Sequence, residues 1–164
     1  IDRALETAEM LRELHPEWSF SHEVLIEVYG VRGQYEEGLR VLAEFREDFG
    51  LSTTRYNALL GWVCARTGAA ANARKALKQL TVSVEEEDDG PWLAWAKARI
   101  NMALGEDQAA LPWLEKSGSW ILGGPFKGIA HDPLWDPLRS NPRFQQLLEG
   151  MKLPEDSIRS LIPG

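Results

Sequence analysis

Three glycines that recur at a near-constant interval constrain the fold of this chain more than any other feature. Gly33, Gly68 and Gly105 are separated by 35 and 37 residues. Each lies between two stretches in which apolar residues recur every three or four positions, as on one face of an amphipathic helix. A small residue stands five positions after each glycine and a leucine nine positions after it (Gly38, Ala73 and Ala110; Leu42, Leu77 and Leu114). A period in the mid-thirties, built from helix, glycine turn and helix, is typical of a helical solenoid.

The apolar pattern predicts an all-α chain divided into repeats and a cap. The first half of the chain has almost no alternating pattern typical of a strand, whereas helical spacing is clear, for example between Leu5 and Leu14. The predicted boundaries within residues 1–118 are 1–16, 19–50, 54–81 and 91–118. The first is interpreted as the second helix of a truncated repeat, because Pro16 ends it and Ala4 and Ala8 precede that proline. The start at Ile1 rather than Met leads us to expect a fragment of a longer protein. Residues 119–164 are predicted to cap the open end of the array.

Three Asx-Pro pairs organise the predicted cap. They are Asp132-Pro133, Asp136-Pro137 and Asn141-Pro142. An Asp or Asn side chain can cap the start of a helix, and proline is well tolerated at the first helical position. Short helices are therefore predicted to begin at Pro133 and Pro142, while Asp136-Pro137 either starts a new turn or reorients the first of them.

The repeats resemble the tetratricopeptide repeat. Leu60-Gly61 matches the Leu-Gly pair of that repeat's first helix, Tyr29 matches its aromatic residue, and Cys64 takes the aromatic's place in the next repeat. The resemblance implies an α-solenoid of antiparallel helical hairpins. It also implies that small residues stand where helices cross (Gly38, Gly61, Ala73 and Ala98).

The C-terminal segment has a second resemblance. Residues 132–148 read DPLWDPLRSNPRFQQLL and are followed by Leu153-Pro154. This phrase is similar to the C-terminal end of many bacterial multidomain tetratricopeptide proteins. The resemblance implies a bacterial parent protein in which the repeats follow another domain, often a winged-helix DNA-binding domain, a nucleotidyl cyclase or a protein kinase.

The resemblance also implies where a partner would bind. Tetratricopeptide arrays line a concave groove with first-helix residues that face away from the stacked core, and residues three and four apart share that face. The candidate groove residues are Glu23, Glu27, Arg55, Trp62, Arg66, Trp92, Trp95 and Arg99, with Phe20, Ala58 and Met102 beside them. Aromatic and arginine anchors would lie at one end of this groove and carboxylates at the other.

The ligand of the groove and the location of its tryptophans are the next expectations. An acidic group of a peptide is expected against Arg66 and Arg99, because arginine can bind a carboxylate with two parallel hydrogen bonds. The alternative for Trp62, Trp92 and Trp95 is that they pack between repeats or against the C-terminal segment. Three further tryptophans are predicted to belong to the core (Trp113, Trp120 and Trp135). The Lys/Asn carboxylate clamp of chaperone-binding tetratricopeptide proteins has no match here.

Charge argues against nucleic acid and leaves one acidic segment open to interpretation. The net charge is −7, whereas nucleic-acid-binding surfaces are basic. Residues 85–89 form a run of five acidic side chains before Gly90-Pro91. The run is interpreted as a solvated loop, with a docking site for a basic partner as the alternative. A metal site is the third interpretation, and the pattern argues against it, because calcium ligands are normally spread around a turning loop and not placed in an uninterrupted run.

The sequence has no recognisable catalytic, cofactor or metal site. No two histidines are four residues apart, which helical zinc sites need. Residues 123–128 lack the Gly-Lys-Ser/Thr ending of a phosphate loop, and Gly118-Ser119 lacks the context of a nucleophile elbow. His131 precedes two aspartates whose helix-capping role explains them. Cys64, the one cysteine, falls on an apolar stripe and is predicted to be a small buried hydrophobe.

These features predict a non-catalytic interaction or regulatory module without a cofactor. Its expected partner is a protein or peptide, with an acidic group or a C-terminal segment as the bound element, or an upstream domain of the same chain. The alternative is a small-molecule-sensing domain that controls an upstream output domain. Uncharged stretches reach only about ten residues, whereas a membrane helix needs about 20, so no membrane insertion is expected. The expected compartment is the cytoplasm, or the periplasm if an upstream membrane anchor exists.

Overall fold

The computed structural model describes residues 2–82, 90–118, 129 and 132–150, and every regular element among them is helical. The α-helices are α1 (Asp2–Leu14), α2 (Ser19–Arg32), α3 (Tyr35–Phe49), α4 (Thr53–Arg66), α5 (Ala70–Val82), α6 (Pro91–Ala103), α7 (Asp107–Lys116) and α8 (Pro142–Gly150). A 3₁₀ helix, Pro133–Leu138, precedes α8. The predicted all-α class is confirmed. Predictions about residues 85–89, 119–128, 131 and 151–164 lie outside the described residues.

Left-handed glycines follow α2, α4 and α6, as the spacing predicts. The backbone angle φ is 73° at Gly33, 83° at Gly68 and 74° at Gly105. Other residues rarely adopt this conformation because their Cβ would meet the backbone. Gly50 also has a positive φ, 60°, and ends α3. The recurring glycines therefore mark the tight turns between paired helices.

The helices pack in a repeating order. Within the hairpins, α2 packs on α3, α4 on α5, and α6 on α7. The first helices lie side by side, because α4 packs on both α2 and α6. Each first helix also packs on the helix that precedes it in the chain: α2 on α1, α4 on α3 and α6 on α5. This repeat-like packing puts α4 at the centre, in contact with α2, α3, α5 and α6.

Small residues stand where these helices approach most closely. A Cβ on Gly61 of α4 would lie 2.7 Å from Cδ1 of Ile100 on α6 and 3.4 Å from Cβ of Ala76 on α5. A Cβ on Gly38 of α3 would lie 3.1 Å from Cγ1 of Val63. The other two small residues expected at crossings, Ala73 and Ala98, are fully buried. Gly38 and Gly61 thus leave room for close contact between neighbouring helices.

Cys64 is fully buried in α4, which confirms the prediction of a buried hydrophobe. Burial raises the pKa of its thiol, although a hydrogen bond with Tyr35 acts in the opposite direction. Because the thiolate is the reactive form, a thiol held neutral is a poor nucleophile.

The C-terminal elements begin where the Asx-Pro pairs predict. The Asp132 side chain accepts a hydrogen bond from the Leu134 N–H at 2.9 Å, and Asn141 accepts one from the Arg143 N–H at 2.9 Å. Asp136 instead lies inside the 3₁₀ helix and forms an ion pair with the next arginine, so its Asp-Pro pair starts no new helix.

Trp135 anchors this segment against the last hairpin. Its side chain is fully buried, and its ring centroid lies 5.2 Å from that of Trp95 on α6 and 6.4 Å from that of Phe144 on α8. The prediction that Trp135 belongs to the core is confirmed. Trp113 is half-buried and packs against the same core cluster, so it lies at the edge of the core and not inside it. The ammonium group of Lys97 lies 4.3 Å from its ring centroid.

Candidate functional site

A cavity of about 340 Å³ opens over the first helices α2, α4 and α6. Each helix contributes four residues at the same four distances, 13, 10, 9 and 6 positions before its turn glycine. They are Phe20, Glu23, Val24 and Glu27 of α2, Arg55, Ala58, Leu59 and Trp62 of α4, and Trp92, Trp95, Ala96 and Arg99 of α6. Such spacing places the four residues on one helical face. The repeat that shapes the fold therefore also shapes the cavity.

Seven of the eight residues predicted for the groove line this cavity. Arg66 does not, because it lies one helical turn beyond Trp62, with its guanidinium 5.5 Å from that ring. Phe20 and Ala58 line the cavity as expected, whereas Met102 is buried elsewhere.

Three apolar residues that line the cavity were not predicted from the sequence: Val24, Leu59 and Ala96. All three stand nine positions before the turn glycine, one residue after a predicted groove position. Alignment of the repeats on their glycines would have found them. Together they make the cavity more apolar than the predicted residues alone suggest.

The charged groups of the cavity neutralise each other across the helices. Glu23 of α2 forms an ion pair with Arg55 of α4. Glu27 of α2 forms an ion pair with Arg99 of α6 at 2.6 Å, which links the first hairpin to the third. The expected separation into an arginine end and a carboxylate end is therefore wrong. Arg99 is also already paired, which removes it as a free anchor for an acidic ligand.

Tryptophan rings form the walls beside these ion pairs. The Arg99 guanidinium lies 3.9 Å from the centroid of Trp62 and 5.9 Å from that of Trp95, and Arg55 lies 5.7 Å from that of Trp92. Cations over indole faces attract electrostatically, which holds the arginine side chains in place.

The tryptophans serve both the core and the cavity. Trp62 and Trp95 are each only 5% exposed, yet both line the cavity, and Trp92 is half-buried. The Trp62 indole packs so closely on α2 that a Cβ on Gly30 would lie 3.0 Å from its Nε1. The choice between groove and core posed by the sequence is thus not exclusive, because each ring has one edge in the core and another at the cavity.

The lining combines paired charges with apolar and aromatic side chains. Among the described residues, its charged members are Glu23, Glu27, Arg55 and Arg99. Its carboxylates and guanidinium groups are paired with each other. What remains is an apolar floor between aromatic walls, a surface suited to an apolar group.

None of the helices in the described residues is both long and apolar enough to cross a bilayer. Within the same ranges, no three His, Cys, Asp or Glu side chains are placed to share a metal ion.

No protein-family model, curated protein or solved structure matches the chain.

Replacing Glu23 with glutamine should change how stability depends on pH. Burial raises the pKa of the Glu23 carboxyl above its ordinary value of 4.5, and Glu27 adds to this, although Arg55 opposes both. The folded state then binds this proton more tightly than the unfolded chain, so ionisation destabilises the fold as pH rises from 4.5 through the raised value. The free energy of unfolding of the wild type, minus that of the E23Q variant, should fall over that pH window and stay constant above it. Urea unfolding at several pH values measures this difference in stability. A difference that stays flat or rises over the window would contradict the prediction.

Proposed function

We propose that this chain is an array of tetratricopeptide-type hairpins that binds a segment of a partner protein in the cavity over α2, α4 and α6. The supporting observation is that all twelve lining residues occupy four positions repeated in three helices. In solenoids, equivalent faces of successive units join into a continuous concave surface, which is where these proteins bind extended or helical segments. The module has no catalytic role in this proposal.

The proposed anchor is an uncharged aromatic or large aliphatic side chain. The floor is made of Val24, Ala58, Leu59 and Ala96, and tryptophan rings stand beside it. A charged anchor would have to break one of the two Glu–Arg pairs or remain unpaired in a partly buried place, which is costly. An apolar anchor needs neither, and buried aromatic contacts commonly dominate binding energy at such sites. The proposed apolar anchor takes the place of the acidic group that the sequence led us to expect.

Filling the cavity should abolish binding while leaving the fold intact. A random peptide library is selected against the intact protein, and the affinity of an enriched peptide is measured by fluorescence polarisation. Ala96 is half-buried and lines the cavity, so the A96F variant should weaken binding about tenfold or more. The matched control is A71F, because Ala71 is exposed on α5 and does not line the cavity. A58L provides a second plug if A96F unfolds.

The selection can also contradict the proposal. Equal affinities for A96F, A71F and the wild type would exclude the cavity as the binding site. Enrichment of acidic peptides without an apolar anchor would contradict the proposed anchor while keeping the site.

A small-molecule sensor is the second candidate. The observation that favours it is the cavity volume of about 340 Å³, since ligand pockets commonly span roughly 300–1,000 Å³ and are lined mainly by apolar side chains. A sensor should bind small aromatic metabolites with a change in tryptophan fluorescence that A96F removes. A peptide-binding module should give that response with selected peptides only.

A further inference from the structure

A second cavity, of about 350 Å³, lies on another face of α4, between α3 and α5. Residues spaced at intervals of three and four line it from each of two helices, Thr53, Tyr56, Asn57 and Leu60 from α4, and Asn72, Lys75, Ala76 and Gln79 from α5. Arg46 reaches it from α3. None of these residues lines the cavity over the first helices, so the two sites are separate.

This second cavity is positively charged in a chain of net charge −7. Its charged lining residues are Arg46 and Lys75, and no carboxylate lines it in the described part of the chain. Neither cation forms an ion pair with a carboxylate of the described residues, whereas the neighbouring Arg74 is paired with Glu106 at 2.9 Å. The Arg46 guanidinium lies 4.5 Å from the ring centroid of Tyr56, which holds it at the cavity.

Asn57 adds a buried polar group to the same cavity. The residue is only 5% exposed, and its side chain forms no hydrogen bond with the residues that the structure describes. Its amide atoms are not among the fully buried side-chain atoms that lack a partner, so they are accessible from the cavity that the residue lines. The amide is therefore placed to donate hydrogen bonds to a ligand with several acceptor oxygens.

The start of α4 also lies at this cavity. Thr53 is the first residue of this 14-residue helix and lines the cavity. Ser52 caps the Arg55 N–H, while the first N–H groups of a helix have no partner within it. Helix N-termini favour anions because of these N–H groups and the helix dipole.

We infer that this cavity between α3, α4 and α5 binds a phosphoryl group. Arg46 offers a planar fork of donors, Lys75 a mobile positive charge, and Asn57 and Thr53 neutral donors. A phosphoryl group has the acceptor oxygens and negative charge that match this set. The cavity exceeds a single phosphate in size, which leaves room for the group to which the phosphate is attached. The inference is independent of the proposed peptide groove.

Titration of the intact protein with inorganic phosphate and with O-phosphoserine tests this inference. The reporters are the side-chain amide of Asn57 and the backbone N–H groups at the start of α4, followed by ¹⁵N NMR at matched ionic strength. Saturable shifts of these signals are expected. R46Q and K75Q should each weaken binding about tenfold or more, because each removes a charge-assisted hydrogen bond. R74Q should keep the wild-type affinity, since Arg74 lies beside Lys75 on α5 but does not line the cavity.

The two probes also distinguish the source of the phosphoryl group. If O-phosphoserine binds more tightly than inorganic phosphate, the natural ligand is a phosphate ester. If the two probes bind equally, the ligand is free phosphate. Both results support the inference. Absence of saturable shifts at these signals with either probe overturns it. Equal weakening by R74Q and R46Q also overturns it, because the effect would then be a general response to surface charge.

The N57L variant separates binding from stability. The Asn57 side chain forms no hydrogen bond within the described chain, so an apolar side chain of similar size should leave the stability of the fold nearly unchanged. Phosphate affinity should nevertheless fall. Unchanged affinity in a folded N57L variant would contradict the role assigned to Asn57.

Discussion

Replacing Trp135 with alanine is expected to lower the free energy of unfolding by about 4 kcal/mol. Its indole is fully buried between Trp95 and Phe144, so the W135A variant would leave a large cavity between α6 and α8. Its Nε1 has no hydrogen-bond partner among the described residues, so the loss comes from packing. Urea unfolding followed by circular dichroism measures the change.

The matched control for this prediction is another tryptophan. Trp18 is 51% exposed and its principal ring contact is a stack on His15, so W18A should cost no more than about 1 kcal/mol. If W135A prevents folding, W135F keeps a ring between Trp95 and Phe144 and should lose less than half as much stability. A W135A variant no less stable than W18A would show that residues 132–150 do not cover the last hairpin.

Replacing Gly61 with valine is expected to lower the free energy of unfolding by about 3 kcal/mol. A Cβ alone would lie 2.7 Å from Cδ1 of Ile100 and 3.4 Å from Cβ of Ala76, and valine adds two more carbons at this crossing of α4, α5 and α6. The helices would have to separate, and their separation would also widen the cavity over the first helices. Thermal and urea unfolding report the loss.

Two other glycine variants make this prediction specific. G61A should be nearly neutral, because the tip of the Ile100 side chain can move and alanine favours a helix over glycine by roughly 1 kcal/mol. G150V should change stability little, since a Cβ on Gly150 at the end of α8 has no neighbour within 4 Å. An equal loss in G61V and G150V would show that the crossing is not tight.

The repeat spacing predicted much of the fold. Three glycines with φ between 73° and 83° follow the first helices, and Gly38 and Gly61 lie where a Cβ would approach a neighbouring helix closely. These features are local or recur with the repeat, so a pattern along the chain can predict them. The cavity residues can be predicted in the same way, because all twelve lie at fixed distances before the turn glycines.

The ion pairs could not be predicted in the same way. Glu27 and Arg99 are 72 residues apart and meet only because α6 is placed near α2 by the packing of both on α4. Residue type and helical face do not give that distance. Arg66 shows the same limit, because continuing the pattern by four residues from Trp62 carried the predicted groove one turn too far.

The second cavity was invisible to sequence analysis for another reason. It combines one face of α4 with one face of α5 and a single arginine of α3. Asn57 in particular looks like an ordinary helix residue until its burial and lack of a hydrogen-bond partner in the described chain are known. Neither property has a signature in one sequence.

The most direct test of the proposed function is a crystal structure of this protein with a peptide enriched in the library selection. In that structure, an aromatic or large aliphatic side chain of the peptide is expected to lie over Ala58 and Ala96, against Trp92 and Trp95, with both Glu–Arg pairs intact. A peptide bound elsewhere, with this cavity empty, would contradict the proposed function. A peptide that enters the cavity through a charged side chain, displacing Arg99 from Glu27, would contradict the proposed anchor.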